Sequence, residues 1–170
     1  MKLALCAICA IGMMVINIGC TTQGVGGRGA AAGTVVTVQY VNPENFTDFS
    51  VHGRDVRYST SVFTQQVTQT LEPVMKSRFP GDMLTLRFTN IDLAGRRSSV
   101  GASSVRVVRN RTPARLSFDY VLQDKSGRAV ASASQRLVDT AHTSSRNASG
   151  PLSNENRMLR RWLQSLSVPR

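Results

Sequence analysis

Four arginines lie at alternating positions of predicted β-strands, where their side chains could share one polar face of a sheet. They are Arg87, Arg106, Arg115 and Arg136. If Gln123 lies opposite Arg128 across a tight turn, Arg115 lies opposite Arg136, and the other two arginines are in phase on neighbouring strands. Guanidinium groups bind phosphate and carboxylate oxygens. Asp119, splaying of the side chains into water or a bound anion could relieve the opposed charges; we expect splaying into water and keep anion binding as the alternative.

No set of residues in the sequence amounts to a catalytic site. Acyl transfer needs a nucleophile with a base in reach, but both histidines fall in turn-like stretches and no Gly-x-Ser-x-Gly motif is present. The few carboxylates lie mainly at predicted helix ends and turns, where capping explains them. We expect no enzyme, no metal and no cofactor. An enzyme would require a cleft at one of the remaining titratable candidates, Asp48, His52, Asp92 and His142.

All three cysteines, Cys6, Cys9 and Cys20, fall within the first twenty residues. No disulfide framework or zinc site can therefore be built in the rest of the chain. Lys2 followed by an apolar run over residues 3–18 is typical of a secretory signal peptide, and the run is shorter than a typical membrane span.

The end of this run resembles a bacterial lipobox, in which a small residue precedes the cysteine that is lipidated. Gly19 and Cys20 fit that pattern, whereas Asn17 stands where leucine is usual. The resemblance implies a signal peptide over residues 1–19 and a lipid anchor on Cys20. Thr21 in place of an aspartate implies the outer membrane, with the protein facing the periplasm. Cleavage near residues 30–32 and retention of the leader as an anchor are the alternatives.

Length and composition set the remaining organisation. The 170 residues suffice for one folded domain, which we place at 34–170 after a Gly/Ala-rich tether at 20–33. The formal charge of +11 is carried almost entirely by arginine. Such a charge suits a polyanion, but the arginines are scattered and the few aromatic residues are needed for the core, so no nucleic-acid partner is expected. Genome composition alone can also explain the preference for arginine.

The first half of this domain predicts a strand and then a helix. A β-branched run at 34–41 is a strand that Pro43 helps to end. From 55 to 79, apolar residues recur every three or four positions, which predicts a core-facing helix. Pro73 lies inside that pattern and predicts a kink near Thr70.

Consecutive strands follow. One begins at Leu84, and its alternation slips at Asn90, which predicts a β-bulge. A polar loop at 95–104 and a strand at 104–110 come next.

The clearest alternation runs from 115 to 123 and returns through a turn at 124–127. Its apolar side chains point one way and need a cover; they are Leu116, Phe118, Tyr120 and Leu122. After an exposed loop at 140–153, a second amphipathic helix has Asn154 as its N-cap and buries Trp162 under the sheet.

These patterns predict an α+β fold of order β-α-β-β-β-β-α. It is a two-layer sandwich in which two helices cover one face of a mainly antiparallel, four- to five-stranded sheet. Strand order is left open by the sequence.

Several separated motifs resemble one family of exported bacterial proteins, domain of unknown function 3016. They are the segments 40–48, 91–95, 105–109 leading to 124–128, and 158–163. The resemblance spans about 35–166 and implies this order of elements and export. It implies no activity and no catalytic residue.

We therefore expect a non-catalytic, membrane-tethered periplasmic lipoprotein that acts as a binding or envelope-assembly module. Its expected partners are the membrane, through the lipid anchor, and another envelope protein. The alternative is binding of an anionic envelope component, lipopolysaccharide or phospholipid headgroups, through the arginine-bearing sheet face.

Overall fold

The computed structural model describes residues 35–100, 103–107, 112–139 and 152–168. For residues 96–100 and 103–107 it describes the backbone alone. The predicted signal peptide, the lipidation site at Cys20, the tether and His142 lie outside the described residues. None of the helices in the described part of the chain has the length and apolar character needed to cross a membrane.

Six strands and two α-helices make up the described chain. They are β1 (Val36–Tyr40), α1 (Val56–Arg78), β2 (Met83–Asp92), β3 (Arg96–Val100), β4 (Ser103–Val107), β5 (Arg115–Gln123), β6 (Ala129–Val138) and α2 (Ser153–Ser165). One sheet has the order β1-β2-β5-β6, and β3 pairs with β4 in a separate two-stranded sheet. Only the β1–β2 pair of the larger sheet is parallel. The predicted α+β class and mainly antiparallel sheet are confirmed, but the polar loop predicted at 95–104 is wrong because β3 and the start of β4 occupy most of it.

Both helices cover the same face of the four-stranded sheet, as predicted. The apolar side of β5 is buried along its whole length, and Phe63 of α1 meets Phe88 of β2 with 5.2 Å between ring centroids. Trp162 of α2 contacts Phe118 and Tyr120 of β5 at 4.9 and 5.1 Å between centroids. Aromatic and aliphatic side chains from these four elements therefore form one core.

A half-buried tyrosine closes the β1 side of this core. The ring of Tyr40 lies 6.1 Å from that of Phe88, and its hydroxyl donates to the carbonyl of Thr60 over 3.1 Å. Burial raises the pKa of the Tyr40 phenol well above its ordinary value, while the hydrogen bond with Thr64 acts in the opposite direction. The phenol therefore stays protonated and can donate at any physiological pH.

Helix α1 begins and ends close to where the sequence indicates. Asp55 precedes it, and its carboxylate accepts from the backbone N–H of Tyr58 over 2.8 Å. The helix runs unbroken through Thr70 and Pro73, although a kink was predicted there. Proline leaves the carbonyl of Gln69 without its helical donor, and because both residues are exposed, water can take that donor's place.

Helix α2 departs from the predicted cap. It begins at Ser153 after Leu152, with no side-chain capping bond, so the assignment of Asn154 as N-cap is wrong. The Asn154 side chain instead accepts from Arg157 over 2.9 Å, and Leu152 is fully buried. Burial of a leucine thus fixes the start of the helix in place of a polar cap.

The β5–β6 hairpin has a different register from the predicted one. Gln123 lies opposite Ala129, and Leu122 opposite Ala131, with an irregularity between them. The Asp124 carboxylate accepts from the backbone N–H groups of Ser126 and Arg128, and Gly127 adopts a φ of 81°. This wider turn moves the return strand by two residues. The predicted bulge near Asn90 is confirmed by the register shift between Phe88 and Asn90.

Candidate binding face of the sheet

The strands that bury one face of the sheet leave the other without a helix. We call this second surface the open face; its members on β1, β2, β5 and β6 are Thr37, Gln39, Thr85, Arg87, Asn90, Asp92, Arg115, Ser117, Asp119, Val121, Ser132, Ser134, Arg136 and Val138. Because side chains alternate along a strand, these residues follow directly from the burial of their neighbours. All of them are partly or fully exposed.

A first charged row crosses the middle of the open face. Gln39 lies opposite Arg87, and Arg87 opposite Asp119. The hydroxyl of Ser134 on β6 donates to Oδ1 of Asp119 over 2.6 Å. This bond orients the carboxylate from the side away from Arg87, so the row presents an arginine and an aspartate at fixed positions.

A second charged row lies near the carboxyl end of β2. Asp48 forms a parallel bridge with Asp92: its N–H donates to Ile91 over 3.2 Å, and its carbonyl accepts from Leu93 over 3.0 Å. Arg115 lies opposite Asp92, with 3.6 Å from its Nη1 to the Asp92 Oδ2. Two carboxylate-bearing positions and one guanidinium thus stand side by side.

The segment that carries Asp48 is locked to the sheet by an asparagine. Oδ1 of Asn90 accepts from the backbone N–H of Thr47 over 2.9 Å, and its Nδ2 donates to the Thr47 hydroxyl over 3.0 Å. Phe46 and Phe49, on either side, are buried. In the fold, Asp48 extends the sheet beyond the end of β1.

The predicted arginine set is only partly brought together. Arg87, Arg115 and Arg136 share the open face, but Arg115 lies opposite Val138 and Arg136 opposite Ser117, so the predicted opposition of Arg115 and Arg136 is wrong. The two arginines are diagonal neighbours instead. Arg106 lies in β4, in the separate two-stranded sheet.

The electrostatic consequence is a face of mixed charge. Two of its three arginines have an aspartate directly opposite, at Asp119 and Asp92. Each carboxylate offsets part of the attraction that a guanidinium exerts on an external anion. The sequence missed this because the bulge in β2 and the wider β5–β6 turn decide which residues share a row.

A second group of titratable residues lies at the start of α1. Cζ of Arg54 stands 5.0 Å from the ring centroid of Tyr58, and the ring of His52 lies 6.3 Å from the same ring. His52 has a φ of 52°, which is uncommon outside glycine. Within the described ranges, no three His, Cys, Asp or Glu side chains gather closely enough to hold a metal ion.

A third polar group ties α2 to the ends of β2 and β6. Glu155 is buried, and its Oε1 accepts from the N–H of Ala94 over 2.8 Å. Nη2 of Arg157 lies 3.1 Å from Oδ2 of the nearly buried Asp139. The sequence analysis did not single out Glu155, although its spacing to Met158 places it in phase with the apolar stripe of the helix. This group stabilises the fold and leaves the open face as the candidate site.

Comparisons with known proteins identify a family and show a distant similarity to a solved structure. The family model described as "Protein of unknown function (DUF3016)" matches residues 34–165. No curated protein matches the chain. A solved structure of a minor lipoprotein from Acinetobacter baumannii is similar with 11% sequence identity and a TM-score of 0.28, covering 76% of this chain and 85% of that chain.

Proposed function

We propose that this chain, which belongs to the family described as Protein of unknown function (DUF3016), is a non-catalytic binding module of the bacterial envelope. In this proposal a lipid on Cys20 holds it to the outer membrane, and the domain faces the periplasm and binds another envelope protein. The signal-peptide pattern and the position of Cys20 support the location. The open face supports the binding role.

One observation carries the choice of surface. The sheet presents a face that neither helix covers, and on it Arg87 and Asp119 lie directly opposite each other, as do Asp92 and Arg115. Charged groups held at fixed positions by strands select a partner by their pattern, since a misplaced like charge is unfavourable. A partner protein with the complementary arrangement of charges fits this surface better than a uniformly anionic one does.

The same geometry favours binding over catalysis. The described carboxylates of the open face lie beside arginines or a serine hydroxyl, and each pairing orients the carboxylate. Catalytic acids and bases instead converge on a shared reacting position. A role in recognition accounts for these pairs without any further chemistry.

Charge reversal on the first row tests the proposal. The full chain would be expressed in its own bacterium, cross-linked in the living cell, and purified from membranes beside the variants Arg87→Asp and Asp119→Arg. The matched control is Arg57→Asp, which makes the same change of two charge units as Arg87→Asp but lies on the outer surface of α1. We expect one envelope protein to co-purify with the parent and the control and to be lost from both reversal variants.

Two results would contradict that proposal. One is recovery of the same proteins from all four chains. The other is recovery of nothing beyond what a fragment of leader and tether alone retains. The anchor is tested separately, by mass spectrometry of the mature N-terminus: an acylated Cys20 is expected, and an unacylated start beyond residue 20 would refute it.

Binding of an anionic headgroup is the second candidate. It is favoured by the exposure of Arg87, Arg115 and Arg136 on one face. In that case Arg115→Ala or Arg136→Ala would weaken binding to vesicles that contain anionic lipid, and added salt would reduce the difference between variant and parent. Equal binding by parent and variants would remove this candidate.

A further inference from the structure

We infer that the outer edge of β6 is the docking site for a second copy of this chain, through antiparallel pairing of the two β6 strands. The four-stranded sheet has the order β1-β2-β5-β6, so β6 pairs with β5 alone among the described strands. It is ten residues long. An edge of this length presents a row of backbone donors and acceptors to any strand that approaches it.

The hydrogen-bonding phase of β6 identifies the outward groups. The N–H of Asp139 donates to the carbonyl of Ala114 over 3.0 Å, in the same register that places Ala133 opposite Tyr120. In an antiparallel pair, alternate residues bond to the neighbouring strand. Ala133 therefore faces β5 with its backbone, while Ser132 and Ser134 direct their N–H and C=O groups away from the sheet.

The usual protections of an edge strand are missing from β6. Proline, lysine, inward charges, internal bulges or short length normally prevent pairing at an edge. β6 contains neither proline nor lysine, its irregularity lies at the turn end, and it carries no charged residue from Ala129 to Gln135. The strand at the opposite edge is shorter, because β1 has five residues.

Charge and symmetry favour a second copy of this chain as the partner of the β6 edge. Two chains of formal charge +11 repel each other, and an uncharged strand is where they approach at least electrostatic cost. Pairing centred on Ala133 places Ser132 opposite Ser134 of the second copy, and Arg136 opposite Val130, so no like charges meet. Antiparallel pairing of identical strands is two-fold symmetric and closes at a dimer with one eight-stranded sheet.

A single-cysteine experiment tests this pairing directly. In the full chain with Cys6, Cys9 and Cys20 replaced by serine, any disulfide formed by one added cysteine joins two copies. A non-hydrogen-bonded antiparallel pair brings Cα atoms to about 4.5 Å, which is within disulfide range. We expect Ala133→Cys to form a disulfide-linked dimer on mild oxidation in detergent, whereas Gln39→Cys, an exposed position next to the opposite edge, stays monomeric.

Ser132→Cys and Ser134→Cys test the two registers in which the β6 strands pair one residue to either side of Ala133. Cross-linking above the Gln39→Cys control at any of the three β6 positions supports the inference. Cross-linking at none of the three positions would overturn the inference. This result is independent of the proposed binding of an envelope protein, because that binding takes place on the open face and not at the β6 edge.

The mass of the assembly gives a second readout. Sedimentation in detergent is expected to show a dimer for the parent and a monomer for Ser132→Pro, because proline removes an outward N–H that the β5–β6 ladder does not use. Circular dichroism would check that the variant is folded. A monomeric parent, or a folded Ser132→Pro that remains dimeric, would overturn the inference; if Ser132→Pro does not fold, the disulfide result decides.

Discussion

The two faces of the four-stranded sheet are built from the same strands and do different work. On β5, Phe118 and Leu122 are buried beneath the helices, while Ser117 and Asp119 between them reach the open face. The buried side chains are constrained in size and shape, because they must fill the core. The polar side chains of the open face are held in their rows by the strand itself. Their buried neighbours fix the strand, and side chains alternate along it. The fold is thus encoded mainly on the covered face, while the two described helices leave the polar side chains of the open face exposed.

The largest expected effect comes from the covered face. Phe118 contacts Phe88 and Trp162 and is 1% exposed. Phe118→Ala should lower the free energy of unfolding by about 3–5 kcal/mol, because it leaves a cavity in the core. Its neighbour Ser117→Ala, on the open face, should change stability by less than about 0.5 kcal/mol. Urea denaturation of the two variants measures both; equal losses would mean that the two faces are not distinct.

The tie between α2 and the sheet should give a smaller effect. Glu155→Ala removes the carboxylate that accepts from the buried N–H of Ala94, and we expect a loss of about 1–3 kcal/mol in the free energy of unfolding. Glu155→Gln keeps an acceptor oxygen and should recover a substantial part of that loss. If the alanine variant is as stable as the parent, Glu155 does not hold the helix to the end of β2.

Pairs on the open face should contribute little to stability. A double-mutant cycle of Arg87→Ala and Asp119→Ala should give a coupling energy of no more than about 0.2–1 kcal/mol, the range of exposed ion pairs, because the two residues lie opposite each other in the sheet. The same substitutions should nevertheless abolish recovery of the partner protein. A coupling energy of several kcal/mol would instead assign this row to folding.

The smallest expected effect is at the β5–β6 turn. Hydrogen bonds, first of all from the Ser126 hydroxyl, hold the pKa of Asp124 below its ordinary value of 3.8. Because the folded-state pKa is lowered, the stabilisation is complete above the ordinary value and is lost as pH falls through the folded-state value. Asp124→Asn should flatten the acid side of the stability–pH curve. An unchanged curve would show that the turn network adds no pH dependence.

Periodicity predicted most of the covered face. The stripe on α1, the alternation of β5 and the burial of Trp162 all depend on repeated apolar residues, and burial of such residues dominates folding. The bulge near Asn90 was also visible, because a slip in alternation is a change of period. Strand β3 could not be predicted in this way, because residues 96–99 include no apolar side chain that would show an alternation.

The open face was predicted less well for a physical reason. Its rows depend on strand order and register, and a single turn residue can move a register by two. Asp124 did so: its bonds to Ser126 and Arg128 widen the turn and place Arg115 opposite Val138. The partnership of Asp92 with Arg115 and the bridge to Asp48 join residues far apart in the chain, which periodicity does not report.

Site-specific photo-cross-linking in living cells tests the central claim most directly. A photoreactive amino acid would replace Ser117 or Val121 on the open face, and Gln65 on the outer surface of α1 as the control. We expect both open-face positions to cross-link one and the same envelope protein while Gln65 does not. Cross-linking of that protein from Gln65 alone, or from none of the three positions, would contradict recognition through the open face.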